Sequence, residues 1–196
     1  TLIIPSKLEE LQNGWCKNTN CLTSVMVSED NKNFAKYGED NQILIGKSNV
    51  IEDTFDILYY APRDIKKIII PSFIKKISSH AFSNCNQLIK VDFSLCENLL
   101  ILDKKSFANT MIKKVKMPST VTRIENGSFF NCKELTSIEF NDSNLNYIGK
   151  KSFASTKLNE FYIPSTVVEI GEKAFYECVY HPIFSPDSKI TFLNKA

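Results

Sequence analysis

Apolar residues recur along the chain in a fixed frame. Ile65-x-x-Ile68-x-Ile70 returns as Leu88-x-x-Val91-x-Phe93, Ile112-x-x-Val115-x-Met117, Leu135-x-x-Ile138-x-Phe140 and Leu158-x-x-Phe161-x-Ile163, with starts 23, 24, 23 and 23 residues apart. Each copy is followed by an apolar pair three residues apart: Ile74/Ile77, Leu99/Leu102, Val121/Ile124, Leu145/Ile148 and Val167/Ile170. Ala or Ser then precedes Phe at Phe82, Phe107, Phe129, Phe153 and Phe175, and three residues later stands Cys85, Thr110, Cys132, Thr156 or Cys178. Alternation at the end of each opening motif sends every second side chain inward, as a strand requires.

A period of about 20–29 residues with an L-x-x-L-x-L core is the signature of a leucine-rich-repeat solenoid. Stacking pairs the short strands in parallel along a concave face, because one repeat alone cannot bury its apolar side. Turns and short helical segments are expected elsewhere. The Phe slot predicts an aromatic ladder on the opposite wall, each ring worth roughly 1.5–3 kcal/mol on burial. Pro71, Pro118 and Pro164 follow alternate strands, so ladder hydrogen bonding should end there for want of a donor.

The frame extends backwards to Leu22-x-x-Val25-x-Val27 and to Leu2, Ile4 and Pro5, with Trp15-Cys16 in place of the Phe slot. Between Val27 and Ile65 it breaks. There 42–46 and 55–60 read as two strands around a polar turn, a β-hairpin insertion protruding from the solenoid. The expected division is N-terminal repeats over 1–29, the hairpin insertion over 30–64, five regular repeats and the start of a sixth over 65–184, and a cap or truncated repeat over 185–196. The chain opens in mid-motif without Met, as a piece of a longer protein would.

Ile70-Pro71-Ser72 … Ile77 … Ala81-Phe82-x-x-Cys85-x-x-Leu88 and Ile163-Pro164-Ser165-Thr166-Val167-x-x-Ile170-Gly171-x-x-Ala174-Phe175-x-x-Cys178 resemble the BspA-like leucine-rich-repeat family. The insertion, from Asn31-x-Asn33-Phe34 to Tyr59-Tyr60-Ala61-Pro62-Arg63, resembles a hairpin found between repeats in that family. The resemblance implies a non-enzymatic protein, displayed on the cell surface or secreted, that mediates adhesion or protein binding to host cells or matrix proteins. It implies no cofactor and carries no catalytic residues. The alternative is an intracellular protein-interaction scaffold of the same fold, which a ladder of reduced Cys would suit equally well.

Composition and chemistry change this picture little. Lys plus Arg total 24 against 22 Asp plus Glu, a near-balance that argues against a nucleic-acid partner. No apolar run approaches the ~18 residues of a membrane span, so direct membrane insertion is not expected. Two His and no C-x-x-C pair leave little for zinc. Cys85, Cys132 and Cys178 lie two repeats apart, about 10 Å at ~4.8 Å per strand, beyond disulfide reach; they read as buried thiols. Cys16 and Cys21 are close enough to be bridged or to stand free, and Cys96 has no evident partner. His80 shares its slot with Lys105, Gly127, Lys151 and Lys173 and reads as an exposed turn residue, while His181 falls in an irregular region. Asn126-Gly127-Ser128 and Asn141-Asp142-Ser143 match the glycosylation sequon.

The candidate binding residues are those that alternation turns outward on the concave strands: Met26, Lys67, Ile69, Lys90, Asp92, Lys114, Lys116, Glu139, Glu160 and Tyr162. Lys dominates the middle strands and Glu the later ones, a graded stripe suited to steering a partner of opposite pattern. Tyr59, Tyr60 and Arg63 form a second candidate surface on the hairpin.

Overall fold

A computed structural model describes residues 1–38, 42–49, 53–140 and 143–193. In chain order the strands are β1 (Leu2–Ile4), β2 (Val25–Val27), β3 (Phe34–Tyr37), β4 (Ile43–Gly46), β5 (Ile57–Tyr60) and β6 (Lys67–Ile69). There follow β7 (Lys76–Ile77), β8 (Lys90–Asp92), β9 (Ile101–Leu102), β10 (Lys114–Lys116), β11 (Arg123–Ile124) and β12 (Ser137–Glu139). The last are β13 (Tyr147–Ile148), β14 (Tyr162–Ile163), β15 (Glu169–Ile170), β16 (Ile183–Phe184) and β17 (Phe192–Leu193). Among the described residues there is no helix. The architecture is a leucine-rich-repeat solenoid, and each regular turn contributes to three walls.

The first wall holds the strands that end the opening motif. They pair in parallel by twos: β1 with β2, β6 with β8, β10 with β12, and β14 with β16. In register, Lys67 faces Lys90, Ile69 faces Asp92, and Lys116 faces Glu139. Ile70 N–H donates to Asp92 O at 2.9 Å and Met117 N–H to Glu139 O at 2.8 Å, each just before its proline, Pro71 or Pro118. A residue without an N–H cannot carry the ladder further.

The second wall replaces the expected helical segments. Each apolar pair ends in a two-residue strand, and these strands join in one nine-stranded sheet of order β17-β15-β13-β11-β9-β7-β5-β4-β3. Ile77, Leu102, Ile124 and Ile148 point inward and are fully buried, whereas their partners Lys76, Ile101, Arg123 and Tyr147 are half-exposed. Four or five residues between a turn and the next turn hold no room for a helix, while two suffice for a parallel rung on the neighbouring coil.

The third wall carries the Phe slot. Rings of Phe82, Phe107, Phe129, Phe153 and Phe175 stack at centroid spacings of 4.8, 5.3, 5.3 and 5.6 Å with planes within 7° of parallel. Spacings of this size are those of offset stacking. Phe93 and Phe140, from the first wall, meet Phe107 and Phe153 edge-on at 6.1 and 6.3 Å. His80, Lys105, Gly127, Lys151 and Lys173 all have φ between 53° and 67°, and so do Asn84, Asn109, Asn131, Ser155 and Glu177 four residues on. These left-handed residues aim their N–H groups along the stack. Lys105 N–H reaches Asn126 O at 3.0 Å, Phe107 N–H reaches Ser128 O at 2.8 Å, and Asn109 N–H reaches Phe130 O at 2.9 Å. Asn tolerates this conformation better than most residues.

Its side chain adds a ladder: Asn109 Nδ2 donates to Asn84 Oδ1 at 2.6 Å, Asn131 Nδ2 to Asn109 Oδ1 at 2.7 Å, and Asn84 Nδ2 to Asn20 Oδ1 at 2.7 Å.

The insertion does not protrude. β4 pairs antiparallel with both β3 and β5, and β5 then pairs in parallel with β7, so the hairpin extends the second wall. All four residues of β4 are buried. Beneath them a small core of Ile4, Cys16, Val25, Phe34, Leu44 and Tyr60 joins the N-terminal coil to the insertion. The main core runs from Ile43 to Ala174.

Candidate functional site

Outward alternation on the first wall is borne by the sequence itself. Val91, Val115 and Ile138 point into the core, so their neighbours Lys90, Lys114, Lys116 and Glu139 stand in solvent. Lys67 and Glu160 are exposed as well, Asp92 is half-exposed, and Met26, Ile69 and Tyr162 keep 56, 58 and 68% of their surface free. Such apolar exposure on a sheet face is what interfaces use as anchors.

Three grooves run end to end along this wall. The first, about 440 Å³, lies between Lys67, Ile69, Lys90 and Asp92 on one side and Tyr37, Gln42 and Ile43 of the insertion on the other. The second, about 870 Å³, is lined by Lys90, Asp92, Lys113, Lys114, Lys116 and Glu139. The third, about 670 Å³, includes Glu139, Glu160 and Tyr162. Lys90 and Asp92 are shared by the first two, and Glu139 by the second and third. Met26 joins none of them; it lies in the separate β1–β2 pair beside the exposed Ile3.

Charge along the grooves is mostly unspent. Lys90 Nζ sits 3.1 Å from Asp92 Oδ2, an exposed pair of small energetic weight. The Ser94 N–H, 3.0 Å from Asp92 Oδ1, together with Lys90 holds the Asp92 carboxyl below the ordinary carboxylate range. Among the described residues Lys67, Lys114 and Lys116 make no ion pair. Field from the middle of the wall is therefore positive, and from its far end negative.

The hairpin surface requires correction. Tyr60 is fully buried and donates its hydroxyl to Leu22 O; burial raises its pKa. Arg63, 5% exposed, lies over the Tyr60 ring at 4.8 Å. Its guanidinium donates to Ala81 O at 2.9 Å, Cys16 O at 3.2 Å, Thr19 Oγ1 at 3.1 Å and His80 O at 3.4 Å. Carbonyls from two chain segments, 16–19 and 80–81, converge there and need a multidentate donor, which Arg alone supplies. Tyr59 is half-buried against Phe34, their rings edge-on at 5.4 Å. These three residues clasp the insertion to the repeats.

His80 is likewise buried, not exposed, because the segment around Gly14 and Cys16 packs over its turn. Burial foremost, then the nearby Lys105, Lys17, Lys104 and Arg63, pushes its pKa down to about 4. His181 is exposed beside a terminal cavity of about 400 Å³. All six cysteines are free. Cys132 and Cys178 Sγ lie 3.2 Å from Thr110 and Thr156 Oγ1, so thiol and hydroxyl alternate within one column. Cys96 is buried with Sγ 3.7 Å from Ile70 O. Asn126 is exposed, whereas Asn141 and Asp142 of the second sequon fall outside the described residues. No group of three His, Cys, Asp or Glu among the described residues is arranged to hold a metal. Among the described residues there is no helix long and apolar enough to cross a membrane.

Six copies of the BspA type leucine-rich repeat region match residues 55–181. The chain belongs to that family. Its fold recurs in three solved proteins of low identity. A leucine-rich repeat protein from Eubacterium ventriosum is 19% identical over 92% of this chain and 48% of its own, with a TM-score of 0.71. A leucine-rich cell surface protein from Faecalibacterium prausnitzii is 21% identical over 100% of this chain and 47% of its own, TM-score 0.60. The pneumococcal vaccine antigen PcpA is 22% identical over 68% of this chain and 33% of its own, TM-score 0.59. The BspA-type chain thus spans a third to a half of these solved proteins. No curated protein matches it.

Sequence reasoning overlooked Tyr37, Gln42 and Ile43, which complete the first groove. Gln42 and Ile43 were read as part of a strand but not as groove lining, and Tyr37 had only the short stretch Phe34-Ala35-Lys36-Tyr37 to mark it, too short to separate from a loop. It also overlooked Lys113 and the two-residue strands of the second sheet.

Proposed function

We propose that this BspA-type protein is a surface-displayed or secreted adhesin-like module that binds a protein partner, on host cells or in their matrix, through the grooved first wall. The observation that carries the reading is the row of three contiguous grooves bearing free Lys at the middle, Glu at one end, and exposed Ile69 and Tyr162 among them. Complementary charge would set the partner's orientation and speed its approach. The cell-surface description of the Faecalibacterium protein and the antigen description of PcpA support display at the surface. An intracellular scaffold is favoured by one observation, the six unpaired cysteines, which a reducing compartment preserves.

The test is binding of the purified protein to host cells and immobilised matrix proteins, beside the double variant Lys114→Glu with Lys116→Glu. Both side chains are exposed, so the urea midpoint should be unchanged. Binding should drop about ten-fold or more and weaken with salt. Undiminished binding by the variant would refute the role of this wall, and absence of binding by either protein would refute the adhesin reading.

A further inference from the structure

The first groove differs from the other two in having a wall the repeats do not build. Ile69, 58% exposed, and Pro71 line it from the repeats, and Tyr37 and Ile43, opposite each other in the β3–β4 pair, line it from the insertion. The Tyr37 ring is fixed by an edge-on contact with Phe73 at 5.0 Å. Lys67 and Lys90, neighbours in register on adjacent strands, edge the pocket, and Asp92 offsets only one of them. Through Lys90 the groove opens directly into the one lined by Lys114 and Lys116.

We propose that this pocket anchors an acidic, extended polypeptide segment of the partner. One aliphatic or aromatic side chain enters between Tyr37 and Ile69, and carboxylates beside it run past Lys67 and Lys90 towards Lys114 and Lys116. The proposal rests on the wall-binding reading above and names the chemistry of its partner. Lys67 and Lys90, on the paired strands β6 and β8, stand about 4.8 Å apart, while same-side residues of an extended peptide recur at about 6.8 Å, so long lysines can match successive carboxylates. A uniform polyanion such as a sulfated polysaccharide fits less well. Glu139 and Glu160 at the far end of the wall would repel it, and an aliphatic pocket offers it nothing.

A random-peptide display library panned on the immobilised protein tests this, followed by binding of the enriched consensus peptide in solution. Expected are peptides with acidic residues around a single Leu, Ile, Phe or Tyr. Their affinity should fall about ten-fold or more on Ile69→Ser, fall similarly on Lys67→Glu, and decline steeply with salt. Ile69 faces solvent, so an unchanged urea midpoint certifies the fold of the variant. Enrichment of nothing, of basic peptides, or of acidic peptides indifferent to Ile69→Ser overturns the proposal. So does heparin that binds as tightly as the peptide and ignores Ile69→Ser, which would assign the lysines to a polyanion. Peptide binding sensitive to Lys114→Glu with Lys116→Glu but not to Ile69→Ser would sink the pocket and leave the wall standing. Peptide binding lost in Ile69→Ser, with whole-protein binding indifferent to the lysine pair, would sink the wider reading instead.

Discussion

Asn109 lets two stabilising effects be separated by two substitutions. Its backbone is left-handed, with φ at 60°, and its side chain both donates to Asn84 and accepts from Asn131 at 2.6 and 2.7 Å. Asn109→Gly keeps a residue at ease with positive φ but deletes both ladder bonds. At about 0.5–1.5 kcal/mol per bond, and with the position half-buried, the loss should be about 1–2 kcal/mol. Asn109→Ala deletes the same bonds and adds the left-handed cost of a Cβ, about 1–2 kcal/mol, for about 2–4 kcal/mol in all. Equilibrium urea unfolding followed by far-ultraviolet circular dichroism reads the difference, provided the denaturant slope is common to all three proteins. A long array can lose all-or-none behaviour, so equal slopes are a condition of the comparison. Two results would refute the reasoning. Gly as stable as the parent would mean that the ladder adds nothing, and Ala equal to Gly would mean that the left-handed slot imposes no selection.

The buried His80 and the thiol column make further predictions. With its folded pKa near 4 against about 6.5 unfolded, His80 binds fewer protons folded than unfolded at intermediate pH. Its share of stability is whole above about pH 6.5 and is lost as pH falls from there towards 4; His80→Asn, which keeps a residue tolerant of positive φ, should flatten the urea midpoint between pH 7 and 5, and an unaltered slope would remove His80 as the cause. For the thiols, burial lifts Cys85 and Cys132 to about 11 and Cys96 to about 12, leaving almost no thiolate at neutral pH. A thiol reagent should label exposed Cys21 at once and these three only on unfolding, as mass spectrometry of the labelled peptides would report; early labelling of Cys132 would contradict the packing of its column.

How much of this was legible follows from what repetition enforces. A buried slot must match the slot above and below it, so Phe82 to Phe175 and the Cys/Thr column announce themselves by recurring. The second sheet was hidden because its apolar pairs, such as Ile74 and Ile77, are spaced by three. Two residues apart is the strand signature, but here only Ile77 lies in a strand and Ile74 closes the turn from Pro71. Arg63 was misplaced because its partners, carbonyls of Cys16, Thr19, His80 and Ala81, come together only after folding, the farthest 47 residues away. A charged residue next to two tyrosines has no local mark of burial. The Asn ladder stood in frame two residues after each Phe, yet Ser155 and Glu177 end it and disguised the slot. The same constraint explains where specificity resides. Stacking fixes the core of every coil, leaving the first wall only its outward positions to vary, and these form shallow grooves shared by any repeat of this length. The pocket at Ile69 exists because an irregular segment lays Tyr37 and Ile43 across a regular face, where two unrelated pieces of chain meet.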